Sequence, residues 1–251
     1  MPLVFSSKTR VLDTKFIFTL HGVLMKQQLF SAGDLERISA AVRQAESKTS
    51  GEIVPYFVER SDDYEMAVWR GGAILGSLTA FVLASIHLLS EQWHGLGPVE
   101  VVLIIAGGSA AGMALVYWIP VLRRLFAGNS LLEQRVAQRA AQAFIAEEVF
   151  KTRDRTGILL FLSHLEHKVL VVGDSGINEK VDQSDWENVV AAMVRGINED
   201  RPADGLIEAI NLCGVLLQKH GVKRRKKDVN ELSNRLRTAS KKNASRRRKQ
   251  S

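Results

Sequence analysis

The sequence predicts an α/β protein: a small mixed sheet with helices on both faces, interrupted by a two-helix transmembrane hairpin. Three observations predict it. Two nineteen-residue stretches, Gly71 to Leu89 and Val101 to Ile119, contain no acidic residue, lysine or arginine. Short apolar runs of strand length lie on both sides of them, Ile53 to Val58 before and Gly157 to Leu162 and Val169 to Val172 after. Helical-period patterns accompany those runs. Three strands make one sheet more easily than two fragments, so the hairpin is inserted into the sequence of a single domain.

In chain order, residues 1–29 read as a disordered extension or a misassigned start. The run Phe16 to Leu20 is too short for a signal core and lacks a small-residue cleavage site. The first part of the domain is 30–66. Ser31 to Asp34 caps a helix on which Leu35, Ile38, Val42 and Ala45 share a face. Pro55 marks the following strand as an edge or a bulge, because it has no N–H for a ladder. The hairpin occupies 67–120 and the second part of the domain 121–221. Ser130 to Glu133 and Ser184 to Glu187 have capping-box spacing and open two further helices. Pro202 and Gly221 frame the last helix.

Each nineteen-residue stretch, as a helix, spans about 28 Å, close to the hydrocarbon thickness of a bilayer. The connecting Ser90 to Pro98 has two glycines and a proline and no basic residue. Trp69, Trp93, Tyr117 and Trp118 fall near the expected interfaces. Arginines flank the pair, at 60 and 70 before it and at 123, 124, 135 and 139 after it. The positive-inside rule then predicts a multi-pass protein of the inner membrane with both termini cytosolic. Gly72, Gly76, Ala80 and Ala84 on the first stretch, and Gly108 and Gly112 on the second, predict close packing of the two helices on each other or on a partner. His87, near the loop end, is expected to snorkel toward the interface.

The 251 residues carry 34 basic and 27 acidic groups, with 46% hydrophobic residues. That composition excludes collagen-like, disulfide-scaffold and wholly disordered classes. Mean hydropathy is only −0.02, because charge and apolarity are segregated along the chain. Residues 222–251 hold 13 basic and 2 acidic groups and read as a disordered basic tail. Its clusters, Lys223, Arg224, Arg225, Lys226, Lys227 and Arg246, Arg247, Arg248, Lys249, suit anionic lipid or RNA. With no aromatic residue to stack on bases, specific DNA recognition is not expected. Cys213, the one cysteine, sits among leucines and reads as a packed helix face.

No H-E-x-x-H, P-loop, G-x-S-x-G or C-x-x-C occurs. His164 and His167 flank a turn expected to be solvated. The candidate metal ligands are acidic: Asp174 in a Gly-Asp-Ser-Gly run, Asp62 and Asp63 after a strand, and Asp182 and Asp185 nearby in sequence. If the strand ends share one sheet edge, these carboxylates could converge on Ca²⁺ or Mg²⁺ and activate water for phosphate ester hydrolysis. The alternative makes Asp174 a turn cap, Asp185 a helix-start acid and Asp62 an Asx-turn residue.

Ala45 to Val54 (AESKTSGEIV) with Arg60 to Tyr64 (RSDDY), then Thr156 to Leu160, Val169 to Val172, Gly173 to Ile177 and the Trp186 helix, together resemble TPM-domain proteins over residues 30–220. The hairpin resembles one bacterial membrane subgroup. The resemblance implies an α/β/α sandwich around a small mixed sheet. Family members have been linked to phosphatase activity, divalent-cation binding, photosystem repair and membrane-protein accessory roles. Many members place the domain outside the cytosol, whereas the arginine pattern here places it inside. The leading expectation is a non-catalytic interaction or accessory module for membrane-protein assembly or maintenance. The alternatives are a divalent-metal-dependent phosphatase and an anchor whose basic tail recruits anionic lipid or nucleic acid.

Overall fold

The computed structural model describes residues 12–13, 29–89, 96–222 and 232–239. The chain divides into two compact units, Met1–Ser61 with Arg135–Ser251, and Asp62–Gln134.

The first unit is a five-stranded mixed sheet. Its strands are β1 (Leu12–Asp13), β2 (Ile53–Val58), β3 (Ile158–Ser163), β4 (Lys168–Gly173) and β5 (Arg237–Ala239), in the order β1-β4-β3-β2-β5. β3 and β4 form an antiparallel hairpin, β1 is antiparallel to β4, and β2 runs parallel to both β3 and β5. Alternation along β3 distributes its side chains to two cores. Ile158, Leu160 and Leu162 meet α1 (Ala32–Glu46), α7 (Gln183–Asn198) and α8 (Pro202–Lys219) on one face. Leu159 and Phe161 meet Val136, Ala140, Ala143 and Phe144 of α5 (Asn129–Ala146) on the other. The expected mixed sheet with helices on both faces is therefore present.

Local chemistry explains most boundaries. Ser31 and Asp34 form a reciprocal capping box at the start of α1. The boxes expected at Ser130 and Ser184 do not form. α5 begins at Asn129, directly after Gly128 at φ 82°, and α7 begins at Gln183 with Asp182 as an N-cap that makes no side-chain bond. Pro55 is accommodated without a bulge. The Glu52 carbonyl bonds toward β3 while the Ile53 N–H bonds the other way, to Glu46, so alternation turns Pro55 away from β3 as well. β5 pairs only from Tyr56 onward, so the missing N–H breaks no ladder bond.

Short parts of both segments expected to be disordered pair with the sheet. Leu12 and Asp13, in the extension 1–29, pair with Val169 and Lys168. Within the tail 222–251, residues 237–239 extend the sheet, and Leu236 and Leu232 pack against its two cores. Leu232 and Leu236 thus supply apolar contacts with which this basic segment docks beside β2. Lys223 to Lys227 and Arg246 to Lys249, like Trp93, lie outside the described residues.

The second unit contains α2 (Glu65–Leu89), α3 (Pro98–Trp118) and the short α4 (Pro120–Ala127). At 25 and 21 residues, α2 and α3 are about 37 and 31 Å long.

Candidate functional site

Three places answer to the expected chemistry. The first is Asp174, only 4% exposed at the end of β4. Its Oδ1 accepts from the Ser175 N–H at 2.7 Å and faces the Arg155 guanidinium at 3.0 Å, so it caps the short helix α6 (Ser175–Asn178). Burial raises its pKa above the ordinary carboxyl value, against the opposing pull of Ser175 and Arg155. The Oδ2 oxygen is buried with no hydrogen-bond partner. The five carboxylates do not converge as expected. Gly173 lies opposite Ile158, and Ile158 opposite Ile53, so β4 ends where β2 begins. Asp62 and Asp63 follow the other end of β2, where Asp62 Oδ1 accepts from the Asp63 N–H. Asp185 pairs with Lys219 at 3.1 Å. Among the described residues no group of three His, Cys, Asp or Glu side chains is placed to hold a metal ion. No three of these carboxylates are thus brought together to offer oxygens to one Ca²⁺ or Mg²⁺.

The second place is the β3–β4 turn, and here the expectation of a solvated turn fails. Ser163, Glu166 and Lys168 have no exposed surface and His167 is 8% exposed; His164 alone of the polar turn residues is open to water. Glu166 Oε1 accepts from the Ser61 N–H at 2.8 Å and Oε2 accepts from the Ser163 hydroxyl. Since Ser163 has one proton and gives it to Glu166, the 2.8 Å contact between the Ser61 and Ser163 hydroxyls must use the proton of Ser61. The result is a closed ring that ties the chain leaving β2 to the hairpin turn, reinforced by His164 and Leu165 N–H bonds to the Val58 and Glu59 carbonyls. A cavity of about 30 Å³ adjoins it, lined by Ser163, His164, His167 and Asp200 among apolar neighbours, enough for water rather than a substrate. A hydroxyl so enclosed cannot reach an ester, so the ring is a clasp.

Sequence reasoning missed this clasp, although one signal was available. Leu170 faces a core, and the period of two puts Lys168 on the same face, opposite Ser163. A clasp of this kind has a cost when broken. Glu166→Ala, which strands the Ser61 N–H and the Ser163 hydroxyl, should lower stability by about 2–4 kcal/mol, and Ser163→Ala by about 1 kcal/mol. Thermal melts in detergent check this; equal melting of the two variants would refute the shared role of Glu166.

The third place is the surface of the second unit. α2 and α3 are long and apolar enough to cross a membrane, and only 11% of the most apolar stretch of each is buried. Trp69, Phe81, Leu89, Leu103 and Trp118 are between 63% and 86% exposed. The small residues face inward instead. Gly71, Gly72, Gly76 and Gly112 are buried, with Gly76 against Ser109 and Gly108 against Thr79, so the two helices run antiparallel in close contact. The predicted ridge thus holds at Gly72 and Gly76, while Ala84 is exposed beyond it. An inside-out pair of this kind, small within and large without, suits a solvent as apolar as its own side chains.

Fold and surfaces together define an α/β domain carrying an inserted apolar helical hairpin. No family model matches the chain, and no curated protein does. Among solved structures, the NMR structure of BA42 protein from the psychrophilic bacterium Bizionia argentinensis is similar in fold, with a TM-score of 0.52 over 86% of this chain and 99% of that one, at 18% identity.

Proposed function

We propose that this chain is a multi-pass membrane protein, anchored by α2 and α3, whose TPM-like α/β domain is a non-catalytic interaction or accessory module for membrane-protein assembly or maintenance. The observation that carries this reading is the exposed apolar jacket of the hairpin, a run of large apolar side chains along α2 and α3 of the kind that soluble monomers rarely leave in water. The structural engagement of Asp174 and Asp185 supports a binding module over a metal phosphatase, since both spend their charge on capping or pairing. The arginines at 60, 70, 123, 124, 135 and 139 favour an inner-membrane orientation with both termini cytosolic.

Two measurements test the proposal. Alkaline carbonate should leave the protein in the vesicle pellet; its release to the supernatant would remove the anchoring. Pull-down from gently solubilised membranes should enrich membrane proteins through the α/β domain. Ca²⁺- or Mg²⁺-dependent phosphate ester hydrolysis that disappears in Asp174→Ala would instead establish the phosphatase alternative.

A further inference from the structure

α4 has no counterpart in the hydropathy pattern, and its construction is unusual. Ile119, in an extended conformation at φ −102° and ψ 104°, ends α3, and Pro120 restarts the helix at its first position. The restarted helix is fastened to the hairpin by two arginines. Arg70 of α2 donates to the Phe126 and Ala127 carbonyls, at 2.9 and 3.4 Å, satisfying the C-terminal end of α4. Arg123 is only 8% exposed; it donates to the Tyr117 carbonyl and its guanidinium lies 5.4 Å from the Tyr117 ring centroid. With that side held, Val121 and Leu125, four residues apart and therefore on one face, are left 47% and 72% exposed. They follow directly on Tyr117 and Trp118, which are 61% and 77% exposed, and Trp69 shares this end of the antiparallel pair.

We propose that α4 is an interfacial foot: Val121 and Leu125 rest in the boundary between headgroups and acyl chains of the leaflet that α2 enters. This inference rests on the bilayer reading of α2 and α3, and it adds that the protein touches lipid with a third element that does not span. The occupant is the bilayer surface because the exposed face of α4 continues the aromatic end of the apolar jacket. An eight-residue helix, about 12 Å long, is also too short to cross. With Arg70 and Arg123 spent on carbonyls at this end of the hairpin, the face that α4 leaves uncovered is the apolar one of Val121 and Leu125, which suits the boundary between headgroups and acyl chains.

Depth measurement tests the foot. The full chain is reconstituted in phosphatidylcholine vesicles with an environment-sensitive fluorophore on one introduced cysteine; Cys213 is fully buried and does not compete for label. The variants are Val121→Cys, Leu125→Cys, Leu78→Cys and Ile104→Cys, with Glu36→Cys on α1 as the aqueous reference. Labels at 121 and 125 should lose more fluorescence to a nitroxide near the headgroup than to one at the bilayer centre, with the order reversed at 78 and 104. Iodide should quench only position 36. Iodide quenching at 121 and 125 overturns the foot while leaving the anchor intact if 78 and 104 stay deep. Shielding of 121 and 125 from both quenchers also overturns it, because a protein contact would then cover that face. Iodide quenching at 78 and 104 removes the bilayer reading itself.

Discussion

Gly112→Leu should break the hairpin, while Gly107→Leu, five residues earlier on the same helix, should leave it intact. A Cβ on Gly112 would lie 2.5 Å from the Gly71 carbonyl oxygen and 2.8 Å from Leu75 Cβ, distances that no rotamer change relieves because backbone and Cβ atoms are involved. A Cβ on Gly107 meets nothing within 4 Å. Both substitutions gain the same helix propensity, about 0.8 kcal/mol, so their difference isolates packing. Forcing the helices apart should cost about 3 kcal/mol at Gly112. Melting of the two variants in the same detergent measures the difference directly. Indistinguishable melting would mean that α2 and α3 do not meet through the glycine face.

The hairpin was legible because helices long and apolar enough to cross a membrane are written in composition: charge is absent for nineteen residues twice, and small residues recur at spacings of four. The sheet was legible for a related reason. Strands buried on both faces read as continuous apolar runs, and the expected Ile53 to Val58 matches β2 residue for residue. What escaped were contacts whose partners are distant or whose residues look solvated. The clasp joins Ser61 to a turn more than a hundred residues later, and although the period of two places Lys168 on a core face, no local pattern announces that Glu166 is buried. α4 escaped because Arg70, Arg123 and Arg124 resemble a topogenic flank, and only the bonds of Arg70 to Phe126 and Ala127 and of Arg123 to Tyr117 show that two of them hold a helix in place. The capping boxes at Ser130 and Ser184 illustrate the converse error. Correct spacing was present, but the helices started one position before the first and at the position preceding the second, where a glycine turn and Asp182 supplied the entry.

The C-terminal strand should be held more weakly as pH rises toward alkaline values. Glu46, at the end of α1, accepts from the Ile53 N–H through Oε1 and from the Asn234 amide through Oε2, linking α1, β2 and the segment that carries β5. Burial is the main cause that pushes its pKa up to about 8, and the neighbouring Glu52 carboxyl, itself 6% exposed, adds to the rise. The hydrogen bonds from Ile53 and Asn234 oppose it without cancelling it. The folded protein therefore keeps a proton that the unfolded chain gives up near 4.5, and the sign follows. The stabilisation is complete below that value and is lost as pH rises through about 8, at no more than about 1.4 kcal/mol per unit. Arg237, paired with Glu147 at 2.7 Å, anchors the same segment, so β5 should loosen rather than leave at once. Melting in detergent should fall between pH 5.5 and 8.5, and Glu46→Gln, which fixes the neutral form, should flatten that slope and be the more stable protein at pH 8.5. A wild-type chain that melts alike at both pH values, or a variant that keeps the full slope, would show that the proton at Glu46 does not hold the strand.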